Sequence, residues 1–244
     1  MPPPTTARTA RDTVTASTPA TVPVELPSGR VEVSADLVAP PSPWAYAALA
    51  HGAGAGYRHP FLLGFADALA EAGVATLRFN FPYVQAGRRM PGPAAHAVAT
   101  WRAVHAELTD RAAGAPVFAI GKSYGGRMAS MAAAEGAIDP AALVYLGYPL
   151  HPPGSPDKAR VAHLPDVPQP QLFVAGSNDP FIDPHDQLER AVASCRSAEI
   201  SWIEGGGHSF EVKGRKRPPA EVAAELVPPI AAWLRAAHSA GGPT

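Results

Sequence analysis

A serine lies in a short, glycine-flanked turn near the middle of the chain. Residues 121–125 read Gly-Lys-Ser-Tyr-Gly, directly after an apolar run and directly before a helical pattern. The small flanking residues let a strand and a helix approach closely, so the turn holds the Ser123 hydroxyl above the end of the strand. Backbone N–H groups at the start of the helix can then stabilise a developing oxyanion. The motif therefore predicts that Ser123 is a nucleophile for acyl transfer.

A serine hydroxyl is a poor nucleophile unless a base takes its proton and an acid orients that base. His208 lies in a glycine-rich loop directly after the last predicted strand, and Asp179 directly follows the strand before it. Because open α/β sheets build their sites at the carboxyl ends of the strands, we expect Ser123, Asp179 and His208 to lie together. Asp183 is an alternative acid, and we favour Asp179 because it is nearer to the end of its strand.

The turn His-Gly-Ala-Gly at residues 51–54 follows another apolar strand pattern. This turn resembles the oxyanion loop of esterases. We predict that the backbone N–H of Tyr124, together with that of Ala53 or Gly54, would bind the oxyanion. We interpret His51 as an organiser of this loop and not as a second base.

Two nucleotide-binding motifs are excluded by single residues. Residues 121–123 resemble the end of a P-loop, but Pro116 stands where that motif needs a glycine. The glycines within residues 52–56 resemble a dinucleotide fingerprint, but Tyr57 replaces the third glycine and no acid follows the next strand. The sequence also has no His-Glu-x-x-His motif and no cluster of Cys and His. We therefore predict neither a cofactor nor a metal.

Strand and helix patterns alternate along the chain after an opening hairpin. Strands separated by helices predict a mostly parallel sheet with helices on both faces. The predicted strands are residues 22–26, 30–39, 44–50, 74–79, 117–120, 143–146, 172–175 and 199–203, and the predicted helices are 60–72, 94–113, 123–135, 186–194 and 220–237.

Both ends of the chain are predicted to lie outside the folded domain. Residues 1–21 are rich in Pro, Thr and Ala and lack the apolar run of a secretory signal. We predict a disordered tail there, with a transit peptide as the alternative. A single domain is predicted over residues 22–238, followed by a disordered tail at 239–244, and the expected location is cytoplasmic.

The composition argues against several classes of partner. The formal net charge is −1, and the longest basic run is residues 215–217, so no nucleic-acid surface is predicted. No apolar stretch reaches the roughly 18 residues of a membrane span. The single cysteine, Cys195, cannot form an intramolecular disulfide, and we interpret it as a packing or surface residue.

Taken together, the motifs resemble those of small dienelactone-hydrolase-like α/β-hydrolases, including the group related to the testis-expressed and chromatin-complex hydrolase-like proteins. The order Ser, Asp, His along the chain is the order of that fold. The resemblance implies an α/β-hydrolase fold without a large cap domain, and hydrolase chemistry. It covers about residues 44–237, and its motifs are residues 51–54, 77–83, 87–89, 121–127, 147–154, 176–180 and 207–210.

The first hypothesis on function is hydrolysis of a small carboxylic ester, lactone or thioester through an acyl-enzyme on Ser123. The alternatives are a non-catalytic protein-binding scaffold with the same fold, and an acyltransferase with the same nucleophile. Residues 149–170 are too few for a large lid, which indicates an open pocket. Arg88 and Arg89 either meet a carboxylate on the substrate or are ordinary surface residues. We expect a monomer or homodimer whose partner is a small ester, not a nucleic acid or a membrane.

Overall fold

The computed structural model of the chain describes residues 17–241, which contain one mixed sheet of eight strands. Hydrogen-bonded neighbours follow the order β1-β2-β4-β3-β5-β6-β7-β8. The two pairs β1–β2 and β2–β4 are antiparallel, and the other five pairs are parallel. The strands are β1 (Ser17–Leu26), β2 (Gly29–Val38), β3 (Ala45–Ala50), β4 (Val74–Phe79), β5 (Val117–Lys122), β6 (Leu143–Leu146), β7 (Gln171–Gly176) and β8 (Ala198–Ile203).

Helices cover both faces of this sheet because the central strands are apolar on both sides. Every residue of β3 except Tyr46 is buried, as is every residue of β4 through β7. The helices are α1 (Pro60–Glu71), the one-turn α2 (Pro82–Gln85), α3 (Ala94–Ala112), α4 (Tyr124–Ala134), α5 (His185–Ala193) and α6 (Pro219–Gly241).

The buried apolar side chains form two clusters, one on each face of the sheet. Helices α3, α4 and α5 supply Trp101, Met128 and Leu188 to the first cluster. Helices α1 and α6 pack against each other and supply Phe65 and Leu234 to the second. A mostly parallel sheet with helices on both faces is therefore what the structure shows, as the alternation of strand and helix patterns predicts.

The predicted domain boundaries need correction at both ends. Strand β1 begins at Ser17, so the last five residues of the predicted tail 1–21 are paired strand. Their Pro, Thr and Ala side chains give no apolar signal, because residues 17–19 are exposed and gain their order from backbone pairing with β2. Helix α6 likewise continues to Gly241, three residues past the predicted end of the domain. The remainder of the two predicted tails lies outside the described residues.

The connections that surround the site are short. The connection over residues 80–93 contains α2, and the connection over residues 149–170 contains two one-turn 3-10 helices, Pro156–Lys158 and Leu164–Asp166. Neither segment forms a cap domain. Within residues 17–241, no helix combines the length and the apolarity needed to span a lipid bilayer.

Candidate active site

Ser123 occupies the tight turn between β5 and α4. Its backbone has φ 50° and ψ −116°, a conformation that residues other than glycine rarely adopt. The strand and the helix can meet this closely only because the positions two residues before and two residues after the serine carry no side chain. A Cβ on Gly121 would lie 2.2 Å from the amide nitrogen of Gly126, and one on Gly125 would lie 2.7 Å from the carbonyl oxygen of His51. The glycines of the motif are therefore required for steric reasons, as the sequence predicts.

The structure brings Ser123, His208 and Asp179 into one hydrogen-bonded chain. The distance from Ser123 Oγ to His208 Nε2 is 2.8 Å, and the distance from His208 Nδ1 to Asp179 Oδ2 is 2.7 Å. With a neutral ring protonated on Nδ1, the serine hydroxyl donates to Nε2 and the ring donates to the carboxylate. This is the arrangement in which a histidine can take the serine proton.

Asp179, and not Asp183, is the acid that contacts the histidine. Asp179 is 1% exposed, and its second oxygen, Oδ1, accepts a hydrogen bond of 2.9 Å from the backbone N–H of Phe181. Asp183 is exposed, and it makes no hydrogen bond to His208. The turn that follows β7 directs the carboxylate of Asp179 inward and leaves that of Asp183 exposed. Burial therefore distinguishes the two acids that the sequence offers.

Lys122 connects the nucleophile turn to the loop of the base. Its Nζ donates a hydrogen bond of 2.8 Å to the carbonyl oxygen of His208. Burial lowers the pKa of the Lys122 ammonium to about 8, against the opposing charges of Asp179 and Glu211. Burial also lowers the pKa of His208; the hydrogen bond to Asp179 opposes this shift and the Lys122 charge adds to it. A lowered pKa keeps the imidazole neutral, and therefore able to accept a proton, at neutral pH.

The two residues whose backbone amides the sequence predicts for the oxyanion line the cleft beside Ser123. Residues Ala53 and Tyr124 both line it, whereas Gly54 does not. The loop of Ala53 lies against the nucleophile, since a Cβ on Gly52 would be 3.4 Å from the Cβ of Ser123. No acceptor among residues 17–241 takes a hydrogen bond from the amide of Ala53 or Tyr124. Both N–H groups are therefore available to a substrate oxygen.

His51 is buried behind this loop. Its Nε2 accepts a hydrogen bond of 3.2 Å from the backbone N–H of Phe81, and its Nδ1 lies 2.8 Å from the carbonyl oxygen of Gly52. An accepting Nε2 leaves the proton on Nδ1, which donates to Gly52. Burial lowers the pKa of His51 to about 4, so the ring is neutral near pH 7. These contacts hold two loops together, which is the organising role that the sequence predicts.

The triad opens into a cleft of about 900 Å³ at the carboxyl edge of the sheet. Arg88 and Arg89 do not line this cleft, although the next three residues do, so the possible carboxylate contact offered by the sequence does not lie there. Arg127 and Arg160 line it instead. Its apolar lining includes Phe61, Leu62, Met90, Pro149, Phe181 and Val222.

The described residues offer no obvious place for a metal. No cluster of three or more His, Cys, Asp or Glu side chains suited to a metal ion occurs between residues 17 and 241. Cys195 is half-buried at the end of α5, where its Sγ donates to the carbonyl oxygen of Ala191 at 3.3 Å. It packs beside the first apolar cluster and lies outside the cleft.

The chain belongs to the α/β-hydrolase family. A family model described as an alpha/beta hydrolase domain matches residues 45–235, which include all the site residues described above.

Solved structures share the fold. A dienelactone hydrolase from Anabaena variabilis is 23% identical and has a TM-score of 0.68, over 90% of this chain and 98% of its own. The esterase domain of a Rhodothermus marinus protein is 19% identical with a TM-score of 0.65, over 90% and 98%. An α/β serine hydrolase without a lid from Xanthomonas campestris is 18% identical with a TM-score of 0.64, over 93% and 96%.

At these identities the likeness is one of fold. The α/β-hydrolase fold, without a large cap and similar to that of dienelactone hydrolases, is thereby confirmed. The finer resemblance to the testis-expressed and chromatin-complex group stays a prediction.

Proposed function

We propose that this protein is a serine hydrolase that cleaves a carboxylic ester, lactone or thioester through an acyl-enzyme. The observation that carries the proposal is the unbroken hydrogen-bonded chain from Ser123 Oγ through His208 to the buried Asp179. A protein that kept the fold only as a scaffold would not need a strained serine joined to a neutral imidazole.

In the first half of the reaction, His208 Nε2 takes the Ser123 proton as Oγ attacks the carbonyl carbon of the substrate. The carbonyl π-bond breaks, and its electron pair moves to the oxygen that faces the amides of Ala53 and Tyr124. The tetrahedral intermediate then collapses and expels the leaving group, which takes the proton from His208. Ser123 is left as an ester of the acyl group.

In the second half, water repeats the attack on the acyl-enzyme. His208 takes a proton from the water, and the resulting oxygen adds to the acyl carbon. Collapse of the second intermediate returns the proton to Ser123 Oγ and releases a carboxylic acid. Asp179 remains ionised throughout and holds the imidazole in the tautomer that both halves require.

The shape of the cleft supports small or flexible acyl substrates. No cap domain covers it among residues 17–241, and its lining is mainly apolar. An apolar cleft with a few convergent polar groups is the usual form of a small-molecule site.

Labelling with a fluorescent fluorophosphonate tests the proposal, because this probe reacts with activated serines. Wild type is expected to be labelled, and Ser123→Ala is expected to lose the label completely. His208→Ala should lose most of it, because the base is gone. The matched control is Ser209→Ala, which removes an exposed serine hydroxyl from the same cleft and should keep the label.

Two results would contradict the proposal. Labelling that persists in Ser123→Ala would point to another nucleophile. No labelling of a folded wild type would favour the protein-binding scaffold. When labelling succeeds, product analysis with and without added alcohol separates hydrolysis from acyl transfer, and hydrolysis predicts free acid as the main product in both cases.

A further inference from the structure

The candidate cleft carries more positive charge than the chain as a whole. The protein has a formal net charge of −1. Among the side chains that line the cleft, four are cationic and one, Glu211, is acidic. The cationic residues of the lining are Lys122, Arg127, Arg160 and Arg217.

Two of these four cations have partners within the protein. Lys122 donates to the carbonyl oxygen of His208 and lies in the field of Asp179 and Glu211. Arg217 is paired with two acids of α6, Glu221 and Glu225. The charges of Lys122 and Arg217 therefore already have partners within the protein.

Arg127 has no such partner. It lies on α4 one turn after Ser123 and is partly buried. Its Nη1 is 3.7 Å from the sulfur of Met131, its guanidinium carbon is 5.9 Å from the centre of the Tyr124 ring, and its Nε has no hydrogen-bond partner among residues 17–241. Burial lowers the pKa of Arg127, and no carboxylate acts on it in the opposite direction.

Arg160 brings a second guanidinium to the same cleft. Its side chain is exposed, it forms no ion pair with any residue between 17 and 241, and its charge lowers the pKa of Arg127 further. Its backbone is fixed: the N–H donates to the Leu150 carbonyl oxygen at 2.8 Å, and its carbonyl oxygen accepts from the Tyr148 hydroxyl at 3.2 Å. The cleft that contains Ser123 is therefore lined by two guanidinium groups of which neither is ion-paired, and an anion between them would offset their mutual repulsion.

We propose that Arg127 and Arg160 form a binding site for an oxyanion, a carboxylate or a phosphate, that the substrate of Ser123 carries elsewhere in its structure. The inference rests on the proposed function and narrows it to acidic esters. The guanidinium fork suits both anions, because each presents two oxygens to parallel N–H donors. Arg127 is the stronger contributor, since its partial burial reduces competition from water.

Matched pairs of esters test this on both sides of the scissile bond. The first pair differs at the far end of the acyl chain. One member is the mono-4-nitrophenyl ester of adipic acid, which carries a free carboxylate, and the other is the same ester with a neutral carboxamide in place of that carboxylate. The second pair places them on the leaving group, as 4-acetoxybenzoate and 4-acetoxybenzamide. Wild type is expected to prefer the acidic member of at least one pair in kcat/KM.

The variants are Arg127→Gln and Arg160→Gln, with Arg89→Gln as the control for loss of an exposed charge outside the cleft. Arg127→Gln should lower kcat/KM for the preferred acidic ester by roughly 10- to 100-fold, mainly through KM, with the neutral ester little changed. Arg160→Gln should give a smaller loss, and Arg89→Gln none. Equal losses on acidic and neutral esters in both pairs would overturn the proposal, as would a wild type without preference.

Equilibrium binding separates this proposal from the function on which it rests. Calorimetry with Ser123→Ala should show that adipate or glycerol 3-phosphate binds, and the stronger of the two identifies carboxylate or phosphate as the preferred anion. Adding Arg127→Gln should abolish binding. If wild type reacts with neither the fluorophosphonate nor any ester but the anion binds, the proposed function fails and the anion site stands. If neutral esters are cleaved but neither anion binds, the anion site alone is overturned.

Discussion

Lys122 stands next to Ser123 in the chain and contacts the loop that carries its base. Its ammonium hydrogen-bonds the carbonyl of His208, and the charged groups that act on that histidine are Asp179, Glu211 and Lys122 itself. A positive charge here disfavours the imidazolium form of His208, so it helps to keep the base neutral. The same hydrogen bond fixes the backbone from which the imidazole projects.

Replacing Lys122 by Met tests both effects. Because the neighbouring positive charge is lost, the pKa of His208 should rise, and the acidic limb of the profile of kcat/KM against pH should move to higher pH. The maximal kcat should also fall by about tenfold, because the loop of the base loses its hydrogen bond. Lys213→Met, which removes an exposed lysine, is the control and should leave the profile in place. An unmoved acidic limb in Lys122→Met would show that the lysine only packs.

The sequence predicts some of these residues better than others, for a physical reason. Ser123 and His208 lie in short loops whose glycines restrict the backbone, so local sequence is informative. The role proposed for Arg127 depends on the direction of its side chain from the helix and on the absence of a carboxylate partner in the fold. Neither property can be read from the neighbouring sequence. Arg88 and Arg89 look equally suitable in the sequence, but neither lines the cleft; the first residue of this segment that does is Met90.

At the scale of elements, apolar runs identify the buried strands almost residue for residue. Strands β3 and β4 are buried and mostly apolar, and the predicted bounds differ from the observed ones by one residue at most. Elements that are less buried are harder to predict from the sequence. The one-turn α2 is too short to show a helical period, and the exposed start of β1 pairs with β2 without an apolar pattern of its own.

A buried ion pair between two strands is also invisible in the sequence. Asp36 of β2 lies opposite Arg78 of β4, and Oδ1 of the acid is 2.8 Å from Nη2 of the guanidinium. Arg78 is 2% exposed and Asp36 is 6% exposed. Arg78 Nε and Nη1 have no hydrogen-bond partner within residues 17–241. The desolvation of these charges is thus incompletely compensated.

This incomplete compensation predicts how variants of the pair will behave. Asp36→Leu alone should lower the free energy of unfolding by about 3–5 kcal/mol, because it leaves the buried Arg78 charge unpaired. The double variant with Arg78→Met should recover most of that loss. Urea unfolding of the single and double variants measures both effects. Glu25→Leu removes an exposed partner of Arg30, 3.8 Å away, and should change stability by less than about 1 kcal/mol. A double variant no more stable than Asp36→Leu would contradict the account.

At the scale of the whole molecule, the fold holds several histidines neutral by burial. Burial is the largest cause of the lowered pKa of each of these histidines. Burial therefore opposes their protonation in the folded state. The unfolded chain has no such restraint and takes up these protons near pH 6.5. The five histidines are His51, His59, His105, His163 and His208.

The direction of the resulting pH dependence follows from proton binding. Between pH 6.5 and about 4, the unfolded chain has bound a proton at His51 and the folded protein has not. Lowering the pH through this window therefore favours the unfolded state, and the stability present above pH 6.5 is progressively lost. For His51 the loss is on the order of 3 kcal/mol, and the more exposed histidines contribute less.

Urea unfolding at a series of pH values from 7 to 4 measures this loss, with His51→Gln as the decisive variant. His51→Gln should be less stable than wild type at pH 7, because the contacts of the ring with Phe81 and Gly52 are weakened. Its stability should nevertheless fall less steeply as the pH is lowered, so the two curves converge toward pH 4. His238→Gln, which changes an exposed histidine of α6, should keep the wild-type slope. Equal slopes for His51→Gln and wild type would mean that the acid sensitivity arises elsewhere, and that burial of this ring does not link the oxyanion loop to the stability of the fold.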